Sequence, residues 1–194
     1  TKLQLKASRA QMNPHFLFNA LNAIQNFITS NDMTAATKYL ARFAHLMRQS
    51  LDYSDLEIIS LEKEIAFLRD YLQINEKLRF KDRLSFDIII DDDIEEDILG
   101  VPTMIVQPYV ENAIEHGLRS RDNGHVEVKF SFMNEHTILC TIRDNGIGRR
   151  AARLQKLQDP KFRNYRSRGT SITEKRLQIL HQAKDNEVFV ETID

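Results

Sequence analysis

QMNPHFLFN, residues Gln11 to Asn19, sets a proline and a histidine side by side inside an apolar pattern of helical period. Leu17, Leu21, Ile24 and Ile28 recur every three or four residues and predict one buried stripe, widened by Met12, Phe16 and Ala20. His15 lies off that stripe. Its neighbours at helical offsets are Gln11, Asn19, Asn22 and Asn26, so it heads a polar, amide-rich face expected to meet water. Pro14 removes a backbone donor and crowds the preceding turn, which costs about 3 kcal/mol in a helix interior and demands compensation or a use. A surface histidine beside a tolerated proline is the commoner explanation of such a dipeptide taken alone.

Outward from this segment the first eighty residues read as helices. Asn31 and Asp32 offer a turn or cap, and Ala36, Leu40, Phe43, Met47 and Leu51 carry a second stripe to about residue 52. Two helices on so short a link form a hairpin, whose uncovered apolar surface is expected to pair with a second copy in a four-helix bundle. Ser60 caps a third helix with Leu61, Ile65, Leu68 and Leu72, running to about Arg79, with Glu62 and Glu64 near its positive end. From Leu84 the period becomes two: Leu84, Phe86, Ile88 and Ile90 predict a half-buried strand. Similar runs recur at Val126, Val128, Phe130, Phe132 and at Ile138, Cys140, Ile142, split by a turn at Asn134 and Glu135, and the three strands together suggest a meander. A helix from Thr103 to His116, ended by Gly117, lies between them. A helix over 171–182 and a strand over 187–192 complete an α+β layer. The expected division is 1–58 for the hairpin and 59–194 for the second domain, the latter incomplete at its C-terminus.

Composition excludes several classes. With 27 basic and 28 acidic side chains, a net charge of −1 argues against a general nucleic-acid-binding surface. The single cysteine, Cys140, allows neither a disulfide framework nor a multi-thiol metal site, which suits a reducing compartment. No apolar run approaches the roughly 18 residues of a membrane span. Thr1 already lies inside an amphipathic run and Asp194 follows a strand-like one, so a piece of a larger protein is expected.

Three segments of the second half carry chemistry. ENAIEHG, Glu111 to Gly117, offers the carboxylate of Glu111 and the hard carbonyl oxygen of Asn112, types suited to Mg²⁺ or to a water beside it, although such pairs also cap helices. In RDNGIG, Arg143 to Gly148, Asp144 can accept from an amino group, and Gly146 and Gly148 let a flat ring or a phosphate approach the backbone. The same Asp-Asn-Gly is good turn chemistry. Arg149 to Arg168 clusters eight basic side chains, Arg149, Arg150, Arg153, Lys156, Lys161, Arg163, Arg166 and Arg168, which suit either a solvated surface or a cationic cover over polyphosphate.

The histidine motif, QPYVENAIEHG, RDNGIG and the later GTSITEKRL stand in the order and spacing of the LytS-type sensor histidine kinases, and the resemblance covers nearly the whole chain. It implies an α+β protein: a helical hairpin that dimerises as a four-helix bundle and carries the phosphorylated histidine, then an α/β sandwich ATP-binding domain of the type shared with gyrase, Hsp90 and MutL. By position, His15 resembles the phospho-acceptor, with His45 and His116 as weaker candidates. Asn112 resembles the Mg²⁺-binding asparagine, Glu111 a base or water-positioning carboxylate, and Asp144 the carboxylate that reads the adenine amino group. His116, Gly146, Gly148, Arg168, Gly169 and Thr170 fall in the nucleotide-binding motifs. Arg176 and Leu177 match the family's arginine-leucine pair. Asn19 resembles a phosphatase residue one helical turn after the acceptor. Two departures stand out: Phe16 follows His15 where many histidine kinases have an acidic residue, and Ser167 stands where a further glycine is common.

The resemblance further implies ATP and Mg²⁺, a homodimer, and phosphoryl transfer to an aspartate of a response regulator with a DNA-binding output domain. No direct nucleic-acid contact is expected, and the implied location is the cytoplasmic part of a bacterial inner-membrane protein, tied to the membrane by segments preceding Thr1. A non-catalytic ATP-sensing scaffold and an ATPase of the same fold are the alternatives.

Overall fold

Asn31 adopts a left-handed backbone (φ 63°), a conformation asparagine tolerates, and reverses the chain between two helices. These are α1 (Pro14–Thr29) and α2 (Met33–Ser54), and Asp32 caps α2 by accepting from the Ala35 amide at 3.0 Å. The computed structural model describes residues 14–81, 83–118, 122–134 and 137–146; the basic segment and the later helix and strand lie outside the described residues. α1 is described from Pro14 onward.

The chain continues through β1 (Ile58–Ser60) into α3 (Leu61–Ile74), capped by Ser60, and α3 runs on as a π turn (Asn75–Arg79) closed by the Phe80 amide on the Asn75 carbonyl at 3.0 Å. The expected end near Arg79 is therefore met, with a wider last turn. Then follow β2 (Leu84–Ile90), β3 (Gly100–Pro102), α4 (Gln107–Asn112) with a second π turn (Ala113–Gly117), β4 (Gly124–Asn134) and β5 (Thr137–Asp144). β1 pairs with β3 so closely that a Cβ on Gly100 would stand 2.9 Å from Ile58 Cγ2.

The sheet order is β2-β4-β5. β4 and β5 form the expected hairpin, but β2 joins β4 in parallel, Leu84 opposite Gly124 through Ile90 opposite Phe130, which corrects the meander. The reason is the intervening β3–α4 excursion: a parallel neighbour requires a crossover connection. Helices pack on the face formed by Leu84, Val126, Val128 and Phe130, while Phe132 at the end of the run is 42% exposed, against expectation. The opposite face carries ion pairs such as Lys129 with Asp91 at 3.2 Å. Cys140 is a free thiol whose pKa burial pushes up to about 12, so it serves packing.

The helical stripes are rotated from their expected positions. Phe16, Ala20 and Ile24 are buried on α1, and Ala36, Phe43 and Leu46 on α2, whereas Leu21, Ile28, Leu40 and Leu51 are exposed. Both helices are apolar on more than one side, and the choice falls to α3: Tyr71 packs on the Phe16 ring at 4.8 Å, and Phe43 closes on it from α2 at 6.3 Å. One core thus runs from α1 through α3 and α4 to the sheet.

Glu64, expected from the sequence near the positive end of α3, is fully buried. Its carboxylate accepts from the amides of Met104 at 2.9 Å and Val106 at 3.1 Å. Those amides are consumed by a side chain, and Met104 has a left-handed backbone (φ 52°), so 103–106 is a turn and α4 starts only at Gln107. Gly117 likewise ends a π turn with Leu118 as cap, not an α-helix. Charge-assisted bonds inside a core are costly to break. Glu64→Ala should lower the free energy of unfolding by about 3 kcal/mol and Glu64→Gln by about 2, the amide keeping one acceptor; urea unfolding measures both, and unchanged midpoints would contradict this role.

Candidate nucleotide and phosphotransfer site

α4 begins with Gln107, which is buried and donates from Nε2 to Glu111 Oε1 at 2.8 Å one turn later. Pro108 suits the first turn, where its absent donor is not needed. Burial pushes the Glu111 carboxyl up to about 7; the Gln107 bond opposes the rise and the negative Glu115 adds to it. Asn112 closes the α-helical part, and the π turn that follows, with Leu118 N on Ala113 O at 3.2 Å, carries Glu115 and position 116.

Glu115 meets Arg79 from the other π turn in a two-bonded pair: NH1 to Oε1, and NH2 to Oε2 at 2.8 Å. Beside it Tyr71 is fully buried, its hydroxyl without a hydrogen-bond partner in the described structure. Burial first, then the charges of Glu111 and Glu115, hold that hydroxyl well above its ordinary pKa, so it stays neutral. Arg79, Glu115, Tyr71 and Glu64 were not singled out as site residues from sequence. Each is an ordinary helix residue in one dimension, and only contacts 36 residues apart, as between Arg79 and Glu115, give them a place here.

The other wall is the end of β5. Asp144 is exposed, and its Oδ1 accepts from the Gly146 amide at 2.8 Å. Asn145 ties the turn to the start of β4: its Oδ1 accepts from His125 N at 2.8 Å and its Nδ2 donates to Asn123 O at 2.9 Å. The tight-turn reading and the ligand reading of Asp-Asn-Gly therefore coexist, since the turn presents the Asp144 carboxylate to solvent. β5 abuts the second π turn, so Asn112 and Asp144 stand on neighbouring elements.

Positions 15 and 116 fall in α1 and in the second π turn, their side chains outside the described part; Gly148, Arg168, Gly169 and Thr170 also lie outside it. Asn19 is half-buried and lines a narrow cleft with Phe16, Ala20, Asn75, Leu78 and Arg79, so it does not share the open polar face of Asn22 and Asn26. Among the described residues no group of three or more His, Cys, Asp or Glu side chains could hold a metal. A lone amide such as Asn112 is suited to Mg²⁺ that arrives on a polyphosphate and keeps most of its own ligands.

Residues 100–190 match the family of histidine kinase-, DNA gyrase B-, and HSP90-like ATPases, and residues 3–84 match the histidine kinase family. The chain belongs to the LytS-type sensor histidine kinases, and its second half is an ATP-binding module. It is 38% identical to the sensor histidine kinase BtsS of Escherichia coli over 148 residues, 75% of this chain and 25% of that protein. It is 34% identical to the E. coli sensor histidine kinase YpdA over 76% of this chain and 25% of that one. With the sensor protein LytS of Staphylococcus epidermidis the figures are 32%, 79% and 25%. The chain thus spans about a quarter of the length of these relatives. No helix among the described residues is long and apolar enough to cross a membrane.

The raised Glu111 carboxyl has a thermodynamic consequence. Folding lifts its pKa from 4.5 to about 7, so between those values the folded state keeps a proton the unfolded state has lost, and stability falls as pH rises through that window. Relative to the parent, Glu111→Gln should remove this part of the slope and be more stable above pH 7 by about 2 kcal/mol, the shift being discounted for residual exposure. Urea titrations of both proteins at pH 4.5 and 8 give the difference; parallel pH profiles would exclude a neutral Glu111.

Proposed function

We propose that this chain is the phosphotransfer and catalytic core of a two-component sensor kinase, with 1–58 as the acceptor hairpin and 59–194 as the ATP-binding domain. The γ-phosphoryl group of ATP·Mg²⁺ would pass to a neutral ring nitrogen of His15, the P–N bond forming as the β–γ P–O bond breaks and ADP leaves with the bridging oxygen. The contact of β5, the strand that ends at Asp144, with the π turn that issues from Asn112, on the core against which the His15-bearing helix packs, carries this reading.

Phosphoryl transfer asks chiefly for positioning and charge stabilisation. In this assignment Asp144 accepts from the adenine amino group, and its turn partner Gly146 leaves room for the ring. The Asn112 side-chain oxygen holds Mg²⁺. Glu111, its carboxyl pushed up to about 7 by burial, would take up a proton at its carboxylate. His116, Arg168, Gly169, Thr170 and Gly148 complete the nucleotide contacts. The product histidine then passes the group to an aspartate of a response regulator.

Incubation with γ-labelled ATP and Mg²⁺ tests the assignment. Acid-labile, base-stable label on the protein is expected; released phosphate alone would mean an ATPase, and binding alone a scaffold. His15→Gln should abolish the label with nucleotide affinity nearly intact, and Asp144→Asn should weaken ATP binding by about 1.5–3 kcal/mol. Label persisting in the first variant would remove His15 as the acceptor.

The exposed apolar side chains Phe18, Leu21, Ile28, Met33, Leu40 and Leu51 lie on the two hairpin helices, away from α3, where a second copy would complete a four-helix bundle. Light scattering at micromolar concentration should give twice the chain mass. Leu21→Glu/Leu40→Glu should return it to the monomer without loss of helix content.

A further inference from the structure

The Arg79–Glu115 pair is an unusual investment for a surface-proximal ion pair. The two side chains are only 13% and 12% exposed, so both are largely desolvated, and the fork geometry uses both carboxylate oxygens. Exposed pairs contribute little, and desolvated ones are favourable only when the geometry is good. What the pair secures is placement. Each partner sits in a π turn, the local widening that redirects side chains at helix ends.

The first turn, Asn75–Arg79, faces α1. Phe16, Asn19 and Ala20 close on Asn75, Leu78 and Arg79 so tightly that the cleft between them holds about 10 Å³, no more than a single water. The second turn continues directly from Asn112. Arg79 therefore lines the cleft against the helix that carries position 15 and, through its guanidinium, binds the turn that issues from Asn112. The guanidinium also lies over the Phe80 ring, its carbon 5.2 Å from the centroid, which limits its freedom to follow either side alone.

We propose that Arg79 is a positioning residue for phosphoryl transfer, setting the Asn112 turn through Glu115 and the acceptor helix through the cleft, so that donor and acceptor are held in register. This rests on His15 as acceptor and Asn112 as the Mg²⁺-holding residue. Lysine cannot replace the fork, because an ammonium offers a point charge where two parallel N–H bonds fix an orientation. Misplacement of reacting groups by about an ångström is enough to cost on the order of a hundredfold in rate.

The test uses the full chain with Arg79→Met, Arg79→Lys and Glu115→Gln. Three quantities are read: the initial rate of acid-labile labelling at saturating ATP·Mg²⁺, the ATP dissociation constant, and the thermal melt. Arg79→Met and Glu115→Gln should label about tenfold or more slowly, with the dissociation constant moving by less than about threefold and Arg79→Lys in between. Unchanged rates in a labelling-competent background would overturn the role of Arg79 alone. So would a loss of rate matched by the loss of folded protein or of ATP affinity, because that is a structural effect only. Should Arg79→Met fail to fold, Glu115→Gln, neutral and of equal size, decides. A parent that takes no label overturns the assignment of His15 and this role together.

Discussion

A buried carboxylate holds this structure in order. Glu64, in the first turn of α3, receives the amides of Met104 and Val106, and by doing so it fixes where α4 starts and how it lies on α3. Everything the site needs follows from that start. Gln107 meets Glu111 one turn on, Asn112 falls at the end of the α-helical stretch, and the π turn delivers Glu115 to Arg79. Without its two amide partners a fully buried carboxylate would be among the least favourable groups in the core. With them it is a stiff two-point brace.

The same frame ties α1 to the turn that follows Asn112. Phe16 sits where many histidine kinases have an acidic residue, and it inserts among Phe43 and Tyr71. An acid at that position could not enter this core, so the departure from the common motif and the docking of α1 are one fact. Tyr71 is in turn close enough to Glu111 and Glu115 for their charges to act on its hydroxyl. A chain of packed and ion-paired groups therefore spans the distance from α1 to the Asn112 turn.

Errors in reading the sequence share one origin. Period predicts a stripe on α1 through Leu17, Leu21, Ile24 and Ile28, widened by Phe16 and Ala20; Phe16, Ala20 and Ile24 are buried as expected, but Leu21 and Ile28 are exposed. Helical period identifies a helix but not how far round an apolar surface the core reaches when the helix is apolar on more than one side. The meander failed similarly: alternation found β2, β4 and β5, but alternation is equal for parallel and antiparallel neighbours.

By itself, the sequence determined the helix and strand periods, the capping by Asp32 and Ser60, and the motif residues Asn112 and Asp144, because capping, alternation and turn chemistry are local and reach only a few residues. The family could be read from the same local strings. Tertiary structure alone decided that Glu64 is a core brace, that Asn19 faces a cleft, and that Arg79 joins two turns. Those outcomes depend on which surfaces lose water together, and the partners lie from 36 residues apart in the chain, as with Arg79 and Glu115, to 60, as with Asn19 and Arg79. No local pattern encodes a pairing at that distance.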